Sequence, residues 1–107
     1  APEDAITRRV KLALLGHPDD ASKFGAVCSE LAKALDAGSI TRLAAMESSM
    51  KAGLDAMGWF PGKYPDLSAL AGELFGAGVV DRALTADDKA TFARQLRTIS
   101  EACQGVK

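Results

Sequence analysis

The fold is decided by residues 17–38, HPDDASKFGAVCSELAKALDAG, which contain the start, the buried face and the end of one helix. Pro18 suits the first helical position, where its missing N–H needs no partner, and the two aspartates after it favour the positive end of the helix dipole. Gly38 is a natural left-handed terminator. The apolar residues between these ends are spaced 3, 4, 3 and 4 apart, which predicts a buried stripe of Ala21, Phe24, Cys28, Leu31 and Leu35.

The same signals recur on both sides of this helix. A helical apolar pattern over residues 3–15 precedes it and ends at Gly16. A third helix is expected to follow a cap at Ser39 or Thr41 and to end at Gly58. Its apolar face is predicted to be Leu43, Met46, Met50, Leu54 and Met57.

Two more helices are predicted in the second half of the chain. Asp66 is expected to cap a short fourth helix, residues 79–84 form either a turn or a short helix, and Thr85 with Asp88 resembles a capping box that opens a last helix to about Cys103. Short connections favour antiparallel neighbours. We therefore predict an all-α fold, an up-and-down bundle of four to five amphipathic helices in a single domain over residues 1–107. A short fourth helix lying across the others is the variant of this architecture.

Composition and charge restrict the class of protein. The 107 residues are 48% hydrophobic and 25% charged, which is typical of a soluble globular domain. Because 13 Lys and Arg are mixed with 14 Asp and Glu along the chain, no basic face is available for phosphates, and nucleic acid is not an expected partner. The apolar runs are too short for a transmembrane segment.

The cysteines and the first residues bear on the compartment. The chain begins at Ala1 without an initiator Met, as after signal-peptide cleavage, although a trimmed chain would begin the same way. Cys28 and Cys103 lie on the apolar stripes of the second and last helices and could form a disulfide, or else remain buried free thiols. An even cysteine count favours export to the periplasm or secretion, with a cytoplasmic location as the alternative.

One loop is the first candidate for a binding surface. Residues 59–65 contain two prolines and a glycine together with half of the aromatic residues of the chain. Rigid rings and prolines favour a preorganised recognition surface, and Trp59, Phe60, Lys63 and Tyr64 are the candidate binding residues, with Tyr64 the most exposed. The other interpretation is that Trp59 and Phe60 cap the open end of the bundle. The best interpretation is a non-enzymatic binding domain whose partner is an unknown protein or a small apolar ligand.

The alternative function is a small helical enzyme or ligand carrier. His17 is the only histidine, and Asp19 and Asp20 could orient it for acid–base chemistry in a cleft. Known metal, haem and nucleotide motifs are absent from the sequence, so we predict no metal and no cofactor. A carrier would instead enclose an apolar ligand with the face made by Met46, Met50 and Met57.

Overall fold

The computed structural model describes residues 5–59, 62–67, 69 and 81–106. Residues 65–67 are helical. Four helices have both ends within the described residues, namely α1 (Ala5–Leu14), α2 (Pro18–Ala37), α3 (Leu43–Ala56) and α4 (Ala86–Gln104). They pack against one another, and the predicted all-α bundle is confirmed.

The predicted ends of α2 and the predicted start of α4 are also confirmed. Pro18 is the first residue of α2, and Gly38 ends it with φ +77°, a left-handed conformation that costs glycine little. At the start of α4, the Thr85 hydroxyl oxygen accepts from the Asp88 N–H at 3.0 Å, and the Asp88 carboxylate accepts from the Thr85 N–H at 2.9 Å. This reciprocal pair satisfies two N–H groups that the helix itself leaves without partners.

The start of α3 differs from the prediction. The cap position is Arg42, not Ser39 or Thr41, and its side chain makes no capping hydrogen bond. Instead, Asp81 reaches α3 from the segment before α4: one carboxylate oxygen accepts from the Ala44 N–H at 2.8 Å and the other from Arg42 Nε at 2.9 Å. Asp81, which is distant in sequence, therefore caps the start of α3. The two hydrogen bonds also hold the pKa of Asp81 below its ordinary value.

Residues 81–84 are extended and run beside the start of α3. The Leu43 N–H donates to the Arg82 carbonyl at 2.9 Å, and the Leu84 N–H donates to the Thr41 carbonyl at 2.9 Å, on either side of a single antiparallel bridge between Arg42 and Ala83. The alternatives predicted for residues 79–84, a turn or a short helix, are therefore wrong for 81–84, while 79 and 80 lie outside the described residues.

The predicted cap at Asp66 is shifted. Pro65 is already helical, so Asp66 lies in the first helical turn, and the Leu67 N–H donates to the Tyr64 carbonyl at 3.1 Å. Pro65 thus opens its helix as Pro18 opens α2, because a missing N–H is tolerated there. The rest of the predicted fourth helix, and the question of whether it crosses the others, falls mainly on residue 68 and residues 70–80, outside the described residues.

The core lies mainly between α2 and α4, which make the most extensive contact among the four helices. The two helices approach closely at Gly25, where a Cβ would lie 3.1 Å from Cys103 Cβ and 3.3 Å from the Ser100 carbonyl oxygen. All five residues of the predicted α2 stripe are buried. The core also takes in side chains of α1 and α4, among them Val10, Leu14, Leu96, Ile99 and Cys103.

Helix α3 packs on another side of α2. Met46 and Met50 are buried, as predicted, whereas Leu54 and Met57 are only half-buried. Gly53 faces Val27 so closely that a Cβ would lie 2.8 Å from a Val27 methyl carbon. Among the helices described, none has both the length and the apolar character that crossing a membrane requires.

Candidate functional site

The two sites predicted from the sequence meet at one place. Asp20, in the first turn of α2, accepts a hydrogen bond of 2.5 Å from the Tyr64 hydroxyl through Oδ2. The same oxygen lies 3.2 Å from Lys63 Nζ. The segment after α3 is thereby fastened to the start of α2, and we call the set Asp20, Trp59, Lys63 and Tyr64 the aromatic latch.

The rings of the latch continue into the core. The Tyr64 ring lies 4.8 Å from the Trp59 ring, centre to centre, and the Trp59 ring lies 5.8 Å from that of Phe24 on α2. His17 contacts the other side of Tyr64 edge to face at 5.5 Å. Because Trp59 and Tyr64 are only 8% and 9% exposed, the prediction that Tyr64 is exposed is wrong. The packing of Trp59 is that of a cap on the core, the other interpretation of this loop.

The latch holds fixed charges. The hydrogen bond from Tyr64, with Lys63 beside it, keeps the pKa of Asp20 below its ordinary value. Burial, together with the bond to Asp20, raises the pKa of Tyr64 to about 12. At neutral pH the pair is therefore a carboxylate and a neutral phenol, and neither group is adjusted towards the pKa near 7 that suits acid–base catalysis.

The predicted site residues differ in their exposure to solvent. His17 and Asp19 are exposed, and Lys63 is the exposed member of the predicted binding loop. Phe60 lies outside the described residues. Within the described part of the chain, no three His, Cys, Asp or Glu side chains are grouped so that they could hold a metal ion.

The disulfide is not formed. Cys28 and Cys103 are free and fully buried, and they are not at disulfide distance, so the structure has the other alternative, two buried thiols. The helix packing gives the reason, because Cys103 faces Gly25, which precedes Cys28 by almost one turn of α2. Burial raises the pKa of both thiols, that of Cys103 to about 11. Both therefore behave as small apolar core residues.

A groove between α2 and α3 is the feature that the sequence reasoning missed. It has a volume of about 550 Å³ and is open to solvent. Most of its surface is apolar. We call it the α2–α3 groove and define it by the residues Val27, Leu31, Ala34, Ile40, Gly53 and Met57.

The polar residues that line the groove are Lys23 and Glu30 on α2, Ser39 before α3 and Ser49 on α3. Lys23, Glu30 and Ala26 between them are exposed, and we call them the rim of the groove. Together with Val27 and Ala34, these residues form a second helical stripe, on another side of α2 from the buried one. The sequence alone does not identify this second stripe as a binding surface, because alanines and charged residues are also typical of an ordinary solvent-exposed helix face.

The predicted methionine face is divided by this geometry. Met46 and Met50 fill the core, whereas Met57 lines the groove. The three methionines therefore do not enclose a common cavity. Comparison of the chain with protein-family models, with curated proteins and with solved structures finds no match.

Proposed function

We propose that this protein is a non-enzymatic binding domain that holds an amphipathic helix of a partner protein in the α2–α3 groove. The observation that carries the proposal is the groove itself, an apolar depression of about 550 Å³ that is open to solvent. Ligand and peptide sites are usually concave and mostly apolar, as this groove is.

The openness of the groove favours a helix over a small apolar ligand. A small ligand is normally buried over most of its surface, and this groove would leave part of it in water. An amphipathic helix has an apolar stripe to bury and a polar face to leave exposed. Small groove residues such as Ala34 and Gly53 leave room for the larger side chains of such a stripe.

The rim charges give the bound helix a direction. Lys23 and Glu30 are seven residues apart, two turns or about 10.5 Å along α2. A helix lying along the groove is best placed with its negative C-terminal end near Lys23 and a basic side chain near Glu30.

The aromatic latch supports this choice by holding the groove in place. Trp59 and Tyr64 are buried, and the Asp20 oxygen that faces them already accepts from two donors, so the latch offers little surface to a partner. Because it fastens the segment after α3 to the start of α2, it fixes the end of the groove near Lys23 and Met57. Export remains a prediction from the sequence.

The proposal is tested with anilinonaphthalene sulfonate, a dye that fluoresces in apolar sites. We expect it to bind with NMR shift changes centred on Val27, Ala34 and Met57, and to be displaced by a designed amphipathic helical peptide. Ala26→Asp places a carboxylate in the groove and should weaken dye binding about tenfold or more, as expected for a charge placed against an apolar contact. Ala90→Asp, at an exposed position of α4, is the matched control. Equal binding by the two variants, or shift changes away from the groove, would contradict the proposal.

A further inference from the structure

Helix α1 carries large apolar side chains on its outer surface. Leu12 and Leu15 are 65% and 64% exposed, although leucine is among the residues most often buried. The opposite side of the same helix buries Val10 and Leu14 in the core. Helix α1 and the turn after it therefore have an apolar face that this chain leaves in water.

This outer face also carries a positive charge. Arg8 and Leu12 are four residues apart and fall on one side of α1, and Leu15, in the turn directly after the helix, continues this spacing. All three are exposed. We call them the outer stripe of α1. It has the apolar and charged side chains that the α2–α3 groove would bind on an amphipathic helix.

The charges of the two surfaces match in register. Arg8 and Leu15 are seven residues apart, as are Lys23 and Glu30. Seven residues of helix span about 10.5 Å, and Leu15 directly follows the last residue of α1. If Arg8 lies beside Glu30, the C-terminal end of α1, with its negative dipole, lies beside Lys23. Leu12 then lies opposite Ala26 and Val27, and Leu15 lies at the end of the groove that is lined by Lys23 and Met57. Glu30 pairs with Lys33 at 3.3 Å in the free chain, but exposed pairs of this kind are weak and exchange readily.

We propose that the partner of the α2–α3 groove is a second copy of this chain, whose α1 enters it antiparallel to α2 with Leu12 and Leu15 buried and Arg8 paired with Glu30. This inference rests on the proposed function. The contact joins two different patches, so each copy offers one stripe and one groove.

Two variants separate these patches. Leu12→Asp/Leu15→Asp removes the outer stripe and leaves the groove intact, whereas Ala26→Asp blocks the groove and leaves the stripe intact. All three positions are exposed, and circular dichroism checks that the helices are retained. In sedimentation velocity, we expect the wild-type mass to rise with concentration and each variant alone to remain a single chain. An equimolar mixture should form a species of two chains, because it retains one intact stripe and one intact groove.

A charge exchange tests the register. Arg8→Glu and Glu30→Lys should each weaken self-association about fivefold, and the double variant, with the pair reversed, should return to within about twofold of the wild type. A wild-type chain that stays single at about 1 mM, or association that Leu12→Asp/Leu15→Asp leaves unchanged, would overturn the inference. So would a double variant as weak as the singles. Dye binding in the groove by a chain that stays single would retain the proposed function while this inference fails.

Discussion

Helix α2 has two different packing surfaces. On one side it meets α4 closely, and a Cβ at Gly25 would lie 3.1 Å from Cys103 Cβ and 3.3 Å from the Ser100 carbonyl oxygen. On the other side it touches α3 at Gly53 and Val27, and the α2–α3 groove opens beside this contact. The first surface is packed like a protein interior, and the second is left partly unfilled.

The difference follows from how the two neighbours are held. Helix α4 packs on α2 through a continuous apolar stripe, in addition to polar contacts of Asp88 with Arg82 and of Arg97 with Asp36. Helix α3 meets α2 less extensively and is tied near both ends by polar contacts from outside the helix. Asp81 bonds to Arg42 and Ala44 at its start, and the aromatic latch fastens the segment after its end. A helix fixed at its ends need not fill the space along its side, which is how a stable domain can keep an apolar groove.

Thiol labelling measures this contrast most directly. Cys28 and Cys103 lie on the closely packed side, are fully buried and have raised pKa values, so labelling at mild pH requires the core to open. We expect both to react about 10³-fold or more slowly than in denaturant, as a net stability of about 5 kcal/mol implies. Both should react in denaturant without reductant.

The control for this labelling lies on the groove side. Ala26→Cys adds a third thiol at an exposed position of α2, and it should react at close to the rate of an unfolded cysteine. Slow labelling at all three positions would contradict the contrast between the two sides. Two cysteines that react in denaturant only after reduction would instead show that a disulfide forms.

Truncating a core leucine should have the next largest effect. Leu96 on α4 is fully buried, and Leu96→Ala should lower the free energy of unfolding by about 2–5 kcal/mol, through lost burial and the cavity left behind. Leu12→Ala is the matched control, because Leu12 is also helical but 65% exposed. In urea unfolding at dilute concentration, its effect should stay within about 0.5 kcal/mol. Equal losses for the two variants would contradict the assigned core.

Two glycine substitutions, one on each side of α2, compare how well the packing accommodates an added methyl group. Gly25→Ala presses a methyl group against Cys103 and the Ser100 backbone. Overpacking costs about 1–3 kcal/mol and better helix propensity returns about 1 kcal/mol, so we expect a net loss of up to about 2 kcal/mol. Gly53→Ala meets only the side chain of Val27, on the side where the groove gives it room to move, and should cost less.

Thermal and urea unfolding of both glycine variants measure these losses. Val27→Ala in the Gly53→Ala background should recover part of the smaller loss by removing the methyl groups that obstruct the new Cβ. A larger loss for Gly53→Ala than for Gly25→Ala would mean that α3 is held as rigidly as α4.

The sequence predicts the helices and the closely packed side of α2 because those features are local. The stripe through Phe24 and Cys28 repeats at helical spacing, and Pro18, Gly38 and Thr85 mark helix ends within one turn of their effects. Caps and periodicity need no knowledge of tertiary contacts.

The groove and the latch could not be predicted in this way. The Tyr64 hydroxyl bonds to a carboxylate 44 positions away, and Asp81 caps a helix 37 positions away, so neither pairing leaves a periodic signal. The groove depends on the space left between two helices. From the sequence, a stripe that contains Ala26 and Ala34 is predicted to be a solvent-exposed face. The position of α3 beside it, which makes the groove, is known only from the structure.

The smallest expected effect is the pH dependence of the latch, which bears only on the loosely packed side. Because the pKa of Asp20 is lowered in the folded chain, its ionised carboxylate adds to the free energy of unfolding above about pH 4, the ordinary carboxyl value. This stabilisation is lost as the pH falls through the folded-state pKa. Because the pKa of Tyr64 is raised to about 12, its neutral phenol adds to the free energy of unfolding below about pH 10. This stabilisation is lost as the pH rises through about 12. Tyr64→Phe should therefore cost about 1 kcal/mol at neutral pH, and less in strong acid or alkali.

The chain offers clean probes for this last experiment, because it contains one tyrosine and one tryptophan. Tyrosinate absorbance reports Tyr64 alone and should titrate near pH 12, shifting towards 10 in Asp20→Asn, while the fluorescence of Trp59 follows loosening of the latch. Other carboxylates, such as Asp88, whose pKa the bond from Arg82 lowers to about 2, titrate in both the wild type and Tyr64→Phe and cancel in the difference. If the latch ties only the end of α3, Tyr64→Phe should speed amide exchange in α3 and leave α4 unchanged. If amide exchange became equally faster in α3 and α4, the two helices would open together. The two sides of α2 would then differ in how tightly they are packed but not in local stability.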